Sequence, residues 1–329
     1  MSKIVRFHSL GGPENLKFED VPLRAPGEGE VKLRVQAVGL NRAELGFMQG
    51  RYLEQPTLPS QIGYEASGIV ESVGPSVDPS WVGKHIATIP GFSMSKNGVL
   101  GEEAIVPVAS LGEYPANIST TEAAAIWMQY LTAYGALVTF GHIQRGDFVL
   151  ITAASSSVGL AAIQIVNSEG AISIAATRKS SKRSELLELG AAHVIATEEE
   201  ELPQRVDQIT GGKAARIIFD AVAGPGVEKL AEAAAYHGII FIYGLLSMQP
   251  TPFPVRGALS KGLSMRAYSL GELRRDPQLL NTAKQYVSDR LADGRFHPKI
   301  AKIFPFAESV NAYRYMQSNE QVGKIVIKV

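Results

Sequence analysis

Gly146-Asp-Phe-Val-Leu-Ile-Thr-Ala-Ala-Ser-Ser-Ser-Val-Gly159 is the stretch on which the reading of this chain turns. An apolar run ends at Ile151, small residues follow through Ser157, and Val158-Gly-Leu-Ala-Ala-Ile-Gln-Ile-Val166 continues as an apolar helical stretch. That is a strand, a tight turn and a helix. Small side chains in such a turn let backbone N–H groups approach a pyrophosphate at the positive end of the helix. Ala153, Ser156 and Gly159 hold the three positions usually drawn as G-x-G-x-x-G, so context carries the assignment more than the letters do. Ala154, Ser155, Ser156, Ser157, Val158 and Gly159 are therefore expected to touch a dinucleotide.

Outward from this turn the rhythm is alternating. Asp147–Thr152, Ala171–Thr177, Arg216–Asp220 and Ile239–Tyr243 read as apolar strands, with helical stretches at Lys182–Leu189 and Gly226–Tyr236. Alternation of this kind predicts a doubly wound parallel sheet. The first ~120 residues differ. Val31-Lys-Leu-Arg-Val-Gln-Ala-Val38 alternates at period two, and short strands at 67–74 and 84–89 are set off by Gly and Pro, which predicts a β-rich module. A helix at Asn281–Leu291 and a terminal strand at Lys324–Val329 are expected to return to that module. The α/β chain thus divides into residues 1–122 with 269–329, and 123–268. The acidic run Glu198–Glu201 reads as a solvated helix start.

Composition narrows the function classes. The 329 residues carry 32 basic and 32 acidic side chains, a net charge of zero. A nucleic-acid or membrane-surface partner would favour a basic excess. With no cysteine, disulfides, thiolate catalysis and Cys-ligated zinc are excluded. The start of the chain has no apolar signal core, so a cytoplasmic enzyme is expected.

An NAD-specific fold places an acid at the end of the second strand, about 20 residues beyond the turn, to bind the ribose 2′-hydroxyl. Thr177, 24 positions after Ala153, opens instead Thr177-Arg178-Lys179-Ser180-Ser181-Lys182-Arg183, with four cations and no carboxylate. Such cations suit a 2′-phosphate through charge-assisted hydrogen bonds, so NADPH is the expected cofactor.

Further segments carry a resemblance. Ile62-Gly63-Tyr64-Glu65-Ala66-Ser67-Gly68 matches a G-H-E-x-x-G pattern, and Asn41-Arg42-Ala43-Glu44 stands where zinc enzymes place a cysteine followed by an acid. Gly50-Arg51-Tyr52 and Leu131-Thr132-Ala133-Tyr134 complete the set. Over nearly its whole length the chain resembles the zinc-free medium-chain dehydrogenases/reductases, near the quinone oxidoreductases and enoyl thioester reductases. The resemblance implies an N-terminal GroES-like catalytic domain and a Rossmann domain. It also implies Tyr52 as proton donor or carbonyl-orienting group, Tyr64 as a second donor, Asn41 on the substrate oxygen or the nicotinamide ribose, and Thr132 at the nicotinamide. Tyr243 and Lys324 join the expected cofactor contacts. It suggests a homodimer joined through a sheet edge, with Leu263–Ser269 as the candidate strand. Where quinone oxidoreductases commonly carry two adjacent glycines in the turn, Ser156 and Ser157 stand here. Asn41 and Tyr64 replace the cysteine and histidine that hold zinc, so no metal is expected.

Without a Lewis acid the easier hydride acceptor is an activated alkene or a quinone, because the charge spreads into an enolate or quinol oxygen. The expected activity is NADPH-dependent reduction of quinones or α,β-unsaturated carbonyls. Two alternatives stay open: a zinc-free ketone or aldehyde reductase, and a low-turnover NADPH-binding sensor.

Overall fold

The computed structural model describes all residues from Met1 to Val329. Two compact units form, Met1–Met128 with Ser288–Val329, and Gln129–Val287. The second crossing falls later than residue 268, and the packing says why. Tyr286, on the helix Pro277–Ala292, packs tilted against Tyr134 with ring centroids 4.6 Å apart and donates to Glu169 at 2.7 Å. The helix as far as Val287 is thereby held to the second unit.

In the first unit Glu30–Gly39 lies at the centre of a seven-stranded sheet, with Glu65–Val73, Lys324–Lys328 and Glu103–Pro107 beside it. The period-two pattern sets the packing: Val31, Leu33 and Val35 point inward and are buried, while Arg34 is exposed between them. The terminal strand Lys324–Lys328 pairs antiparallel with Glu30–Gly39, Ile327 opposite Val38. Strand and core therefore bring the end of the chain beside Asn41. A three-stranded sheet of Leu16–Val21, Ser2–Phe7 and Ser60–Gln61 completes the β-rich module.

In the second unit six parallel strands run in the spatial order His193–Ala196, Ile172–Thr177, Phe148–Ile151, Ala215–Asp220, Ala234–Ile242 and Ser264–Ala267. In chain order this is 3-2-1-4-5-6, the doubly wound dinucleotide-binding topology, whose ligand crevice lies beyond the carboxyl ends of the strands where the order reverses. The expected helix over Gly226–Tyr236 stops earlier. Val227–Ala233 is helical, and Ala234 already pairs with Ala215 in the sheet. Parallel pairing here overrides the helical preference of alanine. The expected edge strand is found as Ser264–Ala267, and no strand pairs with its outer side. No helix is long and apolar enough to cross a membrane.

Candidate functional site

Each unit carries its own polar cluster. In the second, Phe148–Ile151 leads into the turn, and Ala153 takes a left-handed φ of 45°. A side chain is disfavoured there, which is the usual reason for the first glycine of such a turn. Ser156 caps the helix Ser157–Ser168, its Oγ accepting from Gly159 N at 3.1 Å. A serine cap satisfies one of the free N–H groups of the first turn, which gives Ser156 a structural function where glycine would have none. Gly159 is required by contact: a Cβ there would lie 2.6 Å from Ala154 Cα. The spacing of these three residues, three and three, is one longer than the two-and-three of the written fingerprint, yet each fills a fingerprint function.

Neighbouring strand ends close round this turn. Asp220 accepts from Thr152 Oγ1 at 2.6 Å and from Ala223 N at 2.8 Å, which pins the fourth strand's exit to the first's. Tyr243 stacks on Phe219 with centroids 3.9 Å apart. Its hydroxyl is buried near the Ser156 hydroxyl but outside hydrogen-bond geometry, so it lacks a partner. Burial raises this phenol, and Asp220 adds to the rise. An unsatisfied buried hydroxyl costs about 1–3 kcal/mol, and a ligand in the turn would satisfy it. Lys182 Nζ donates to Ser155 Oγ at 3.2 Å, which brings one of the expected cations to the turn. The residues present therefore fit a nicotinamide dinucleotide.

The basic segment does not act as one group. Thr177 is buried at a strand end, and Arg178 and Lys179 are exposed. Arg183 is turned inward, pairing with Glu200 and donating to Val194 O at 3.1 Å. Glu200 also accepts from Arg205 Nε at 2.8 Å, so it ties the preceding helix to the following one, while Glu198, Glu199 and Glu201 are exposed and the helix Leu202–Thr210 starts directly after them. Thr132 and Ala154 are buried, Thr132 on the helix Trp127–Tyr134.

In the first unit Asn41, Glu44, Glu65, Tyr313 and Lys324 form a buried polar network. Lys324 Nζ lies 2.6 Å from Glu65 Oε2 and donates to Asn41 Oδ1 at 2.7 Å. Glu65 Oε1 accepts from Met128 N at 3.0 Å. Asn41 Nδ2 donates to Gly39 O at 3.0 Å and to Glu44 Oε1 at 3.4 Å. Glu44 Oε2 accepts from Tyr313 OH at 2.7 Å. Gly39 makes room for this: a Cβ there would sit 1.8 Å from Ala124 O and 2.8 Å from Lys324 Cε. Burial raises the Glu44 carboxyl, partly offset by the Tyr313 hydrogen bond and by Lys324.

This network redirects two expectations. Lys324, expected at the cofactor, belongs to the first unit and its ammonium is held between Glu65 and Asn41. Asn41, expected on a substrate oxygen, has both amide hydrogens and its carbonyl turned to protein partners.

Beside the network stand Tyr52 and Tyr64, ring centroids 6.1 Å apart at 64°. Tyr64 also packs edge-on against Phe92 at 5.7 Å, and Glu44 Oε1 accepts from its backbone N at 3.3 Å. Burial raises the Tyr52 phenol, with Tyr64 partly offsetting it. Burial raises Tyr64 as well, and Tyr52, Glu54 and Glu44 add to the rise. Two protonated phenols are therefore paired at the surface of a charged, fully hydrogen-bonded core. No group of three or more His, Cys, Asp or Glu side chains is arranged to hold a metal ion.

Residues 27–126 match the alcohol dehydrogenase GroES-like domain family, and residues 157–285 match the zinc-binding dehydrogenase family. A quinone oxidoreductase-like protein 2 homolog of Nematostella vectensis is 31% identical over 92% of this chain and 82% of its own length. The chain belongs to the zinc-free, quinone oxidoreductase-type medium-chain dehydrogenases/reductases. A 2-haloacrylate reductase of Burkholderia is 26% identical over 97% of both chains. The crystal structure of Escherichia coli quinone oxidoreductase complexed with NADPH superimposes with a TM-score of 0.92, at 27% identity, covering 99% of this chain and 100% of that one. As a member of this family the chain is an oxidoreductase of the nicotinamide-dependent kind. The GroES-like module and Rossmann sheet expected from the sequence are both present. Sequence reasoning missed the connected functions of Glu44, Glu65 and Tyr313. Glu44 and Glu65 stood inside the quoted segments, whereas Tyr313 left no signal.

Proposed function

We propose that this chain uses NADPH to reduce quinones or the activated C=C of α,β-unsaturated carbonyls, with side chains alone stabilising the oxygen that gains charge. The observation that carries this reading is the Lys324 ammonium held by Glu65 and Asn41. The positions that hold zinc in related enzymes, Asn41 and Tyr64, are an amide committed to that ammonium and a protonated phenol. What remains to face an acceptor is the Tyr52–Tyr64 pair.

The bound dinucleotide supplies a hydride. Its addition at the β-carbon leaves charge spread over an enolate, and Tyr52 donates to the enolate oxygen or passes a proton to the α-carbon. Tyr64 supports Tyr52 as a second donor. Their raised pKa values keep both hydroxyls protonated through neutral and moderately alkaline pH. A well-placed donor of this kind supplies about 3–4 kcal/mol to such a step. The 2-haloacrylate reductase relative supports an activated alkene as acceptor, and the NADPH complex of the E. coli enzyme supports both NADPH and a quinone. In the second unit Ala154, Ser155, Ser156, Ser157, Val158 and Gly159 hold the pyrophosphate, Tyr243 donates its free hydroxyl at the same turn, and Thr132 contacts the nicotinamide. Arg178, Lys179 and Lys182 take the 2′-phosphate. The open strand Ser264–Ala267, with exposed Leu259 and Phe253 nearby in sequence, supports pairing with a second copy of the chain.

The test uses NADPH deuterated at the transferred position with a short enone. Deuterium at the β-carbon of the product is expected, and Tyr52→Phe lowers kcat by about 100-fold or more, the usual contribution of a positioned acid. Deuterium on a carbonyl carbon, or a Tyr52→Phe enzyme with full kcat, contradicts the assignment.

A further inference from the structure

The stretch 177–183 carries no carboxylate, but the fold delivers one to it from elsewhere. The loop after the strand His193–Ala196 runs alongside the basic segment. Thr197 N donates to Thr177 O at 2.8 Å, and Glu198 N donates to Arg178 O at 2.9 Å. Glu199 then turns its carboxylate back, and Oε1 accepts from Ser180 N at 2.9 Å. Glu200, tied to Arg183, to Arg205 and to Ala196 N at 2.8 Å, fixes the loop from below. Glu199 is thus an exposed carboxylate bonded to the backbone of Ser180, the residue next to Lys179 and two from Arg178 in sequence.

We propose that Glu199 sets the cofactor selectivity of this chain, by occupying the Ser180 N–H and opposing the charge of a 2′-phosphate beside Arg178 and Lys179. This rests on the cofactor reading above, in which that segment faces the adenosine ribose. Two physical effects act in the same direction. A backbone N–H is a strong phosphate donor, and Glu199 already uses this one. A second anion beside the phosphate also raises the free energy of the bound state, the more so at low salt, where exposed charges are poorly screened. The cations then attract the 2′-phosphate against a resident competitor. The preference for NADPH over NADH is narrower than Arg178, Lys179 and Lys182 alone would give.

Two substitutions separate the effects. Glu199→Gln keeps an acceptor for Ser180 N–H and removes the charge, and Glu199→Ala removes both. The residue is exposed, so both variants are expected to fold, and a thermal melt checks this. Binding is measured by titration calorimetry with NADPH, NADH, 2′,5′-ADP and 5′-AMP at 50 and 500 mM salt, with Arg178→Glu and Lys179→Glu alongside. The expected result is tighter NADPH and 2′,5′-ADP binding, about tenfold for Glu199→Ala and less for Glu199→Gln. NADH and 5′-AMP should be unchanged, and the Glu199→Gln gain should shrink at high salt. Unchanged or weaker NADPH binding in both variants overturns the proposal. So does weaker NADH binding with NADPH unaffected, which would make Glu199 a ligand of the ribose hydroxyl. If Arg178→Glu and Lys179→Glu both leave the NADPH-to-NADH ratio as it is in the native chain, the cofactor reading itself fails, whatever Glu199 does.

Discussion

Lys324→Met removes the cation from the buried network while keeping most of its side-chain volume. Lys324 and Glu65 have side-chain exposures of 1% and 0%, so water cannot replace the lost partner of either group. Glu65 would keep only the Met128 N–H, and Asn41 Oδ1 would lose its donor. Breaking a buried pair from one side costs about 3–5 kcal/mol, because a charge is left uncompensated. The stranded Asn41 carbonyl places this case toward the upper end. At roughly 2–4 °C per kcal/mol for a unit of this size, the first unit's melting temperature should fall by about 6–20 °C. Replacing both charges, Lys324→Met with Glu65→Gln, removes the uncompensated anion and should recover most of that loss. The assay is calorimetric melting of the native chain, both single variants and the double variant, read as a double-mutant cycle. A Lys324→Met loss below ~1 kcal/mol, or a double variant that loses the sum of the two singles, would refute the argument that the ammonium is structurally committed.

Other consequences can be checked alongside. Gly159→Ala forces a Cβ to within 2.6 Å of Ala154, so it should destabilise the second unit by about 1–3 kcal/mol and weaken NADPH binding, read by urea midpoint and fluorescence titration. Glu44 is raised above its ordinary value of 4.5 by burial, so the folded state holds its proton more tightly than the unfolded one. Stability is then greatest below 4.5 as far as Glu44 is concerned and falls as pH climbs through the raised value. Glu44→Gln should flatten that falling limb in urea midpoints taken across pH, and an unchanged profile would remove Glu44 as its source. Arg178→Glu should lower NADPH affinity at least tenfold with NADH little changed, since a charge-assisted phosphate contact is commonly worth more than ~1.4 kcal/mol; equal losses for both would place the contact elsewhere.

The parts of the fold legible in the sequence were those written in local pattern. The strand–turn–helix at 147–166 announced itself because apolar and small residues are segregated along it, and the paired Glu30–Gly39 strand because its alternation is unbroken. His193–Ala196 was not read, because four residues carry no period. The helix Leu202–Thr210 is legible only at its start, in the acidic run Glu198–Glu201. The site was legible only in its local halves. Asn41, Glu44, Tyr64 and Glu65 lie in recognisable segments, but the partner that organises them, Lys324, is 283 residues from Asn41 and 259 from Glu65. No window along the chain holds that relation. It comes from the antiparallel return of the last strand, and so Lys324 was expected at the cofactor. The carboxylate that lies against the basic segment likewise could not be found by counting forward from the turn, because Glu199 reaches Ser180 from the next strand's loop.

On the proposed function, side chains alone support hydride transfer to a conjugated acceptor. The most direct measurement is NADPH oxidation at 340 nm in the presence of EDTA, with a short enone, an enoyl thioester, a naphthoquinone and a saturated ketone of matched size. Turnover of the enone, thioester or quinone, unaffected by the chelator, and none of the ketone, is expected. Turnover of the ketone alone, or activity abolished by EDTA and restored by added zinc, would contradict it.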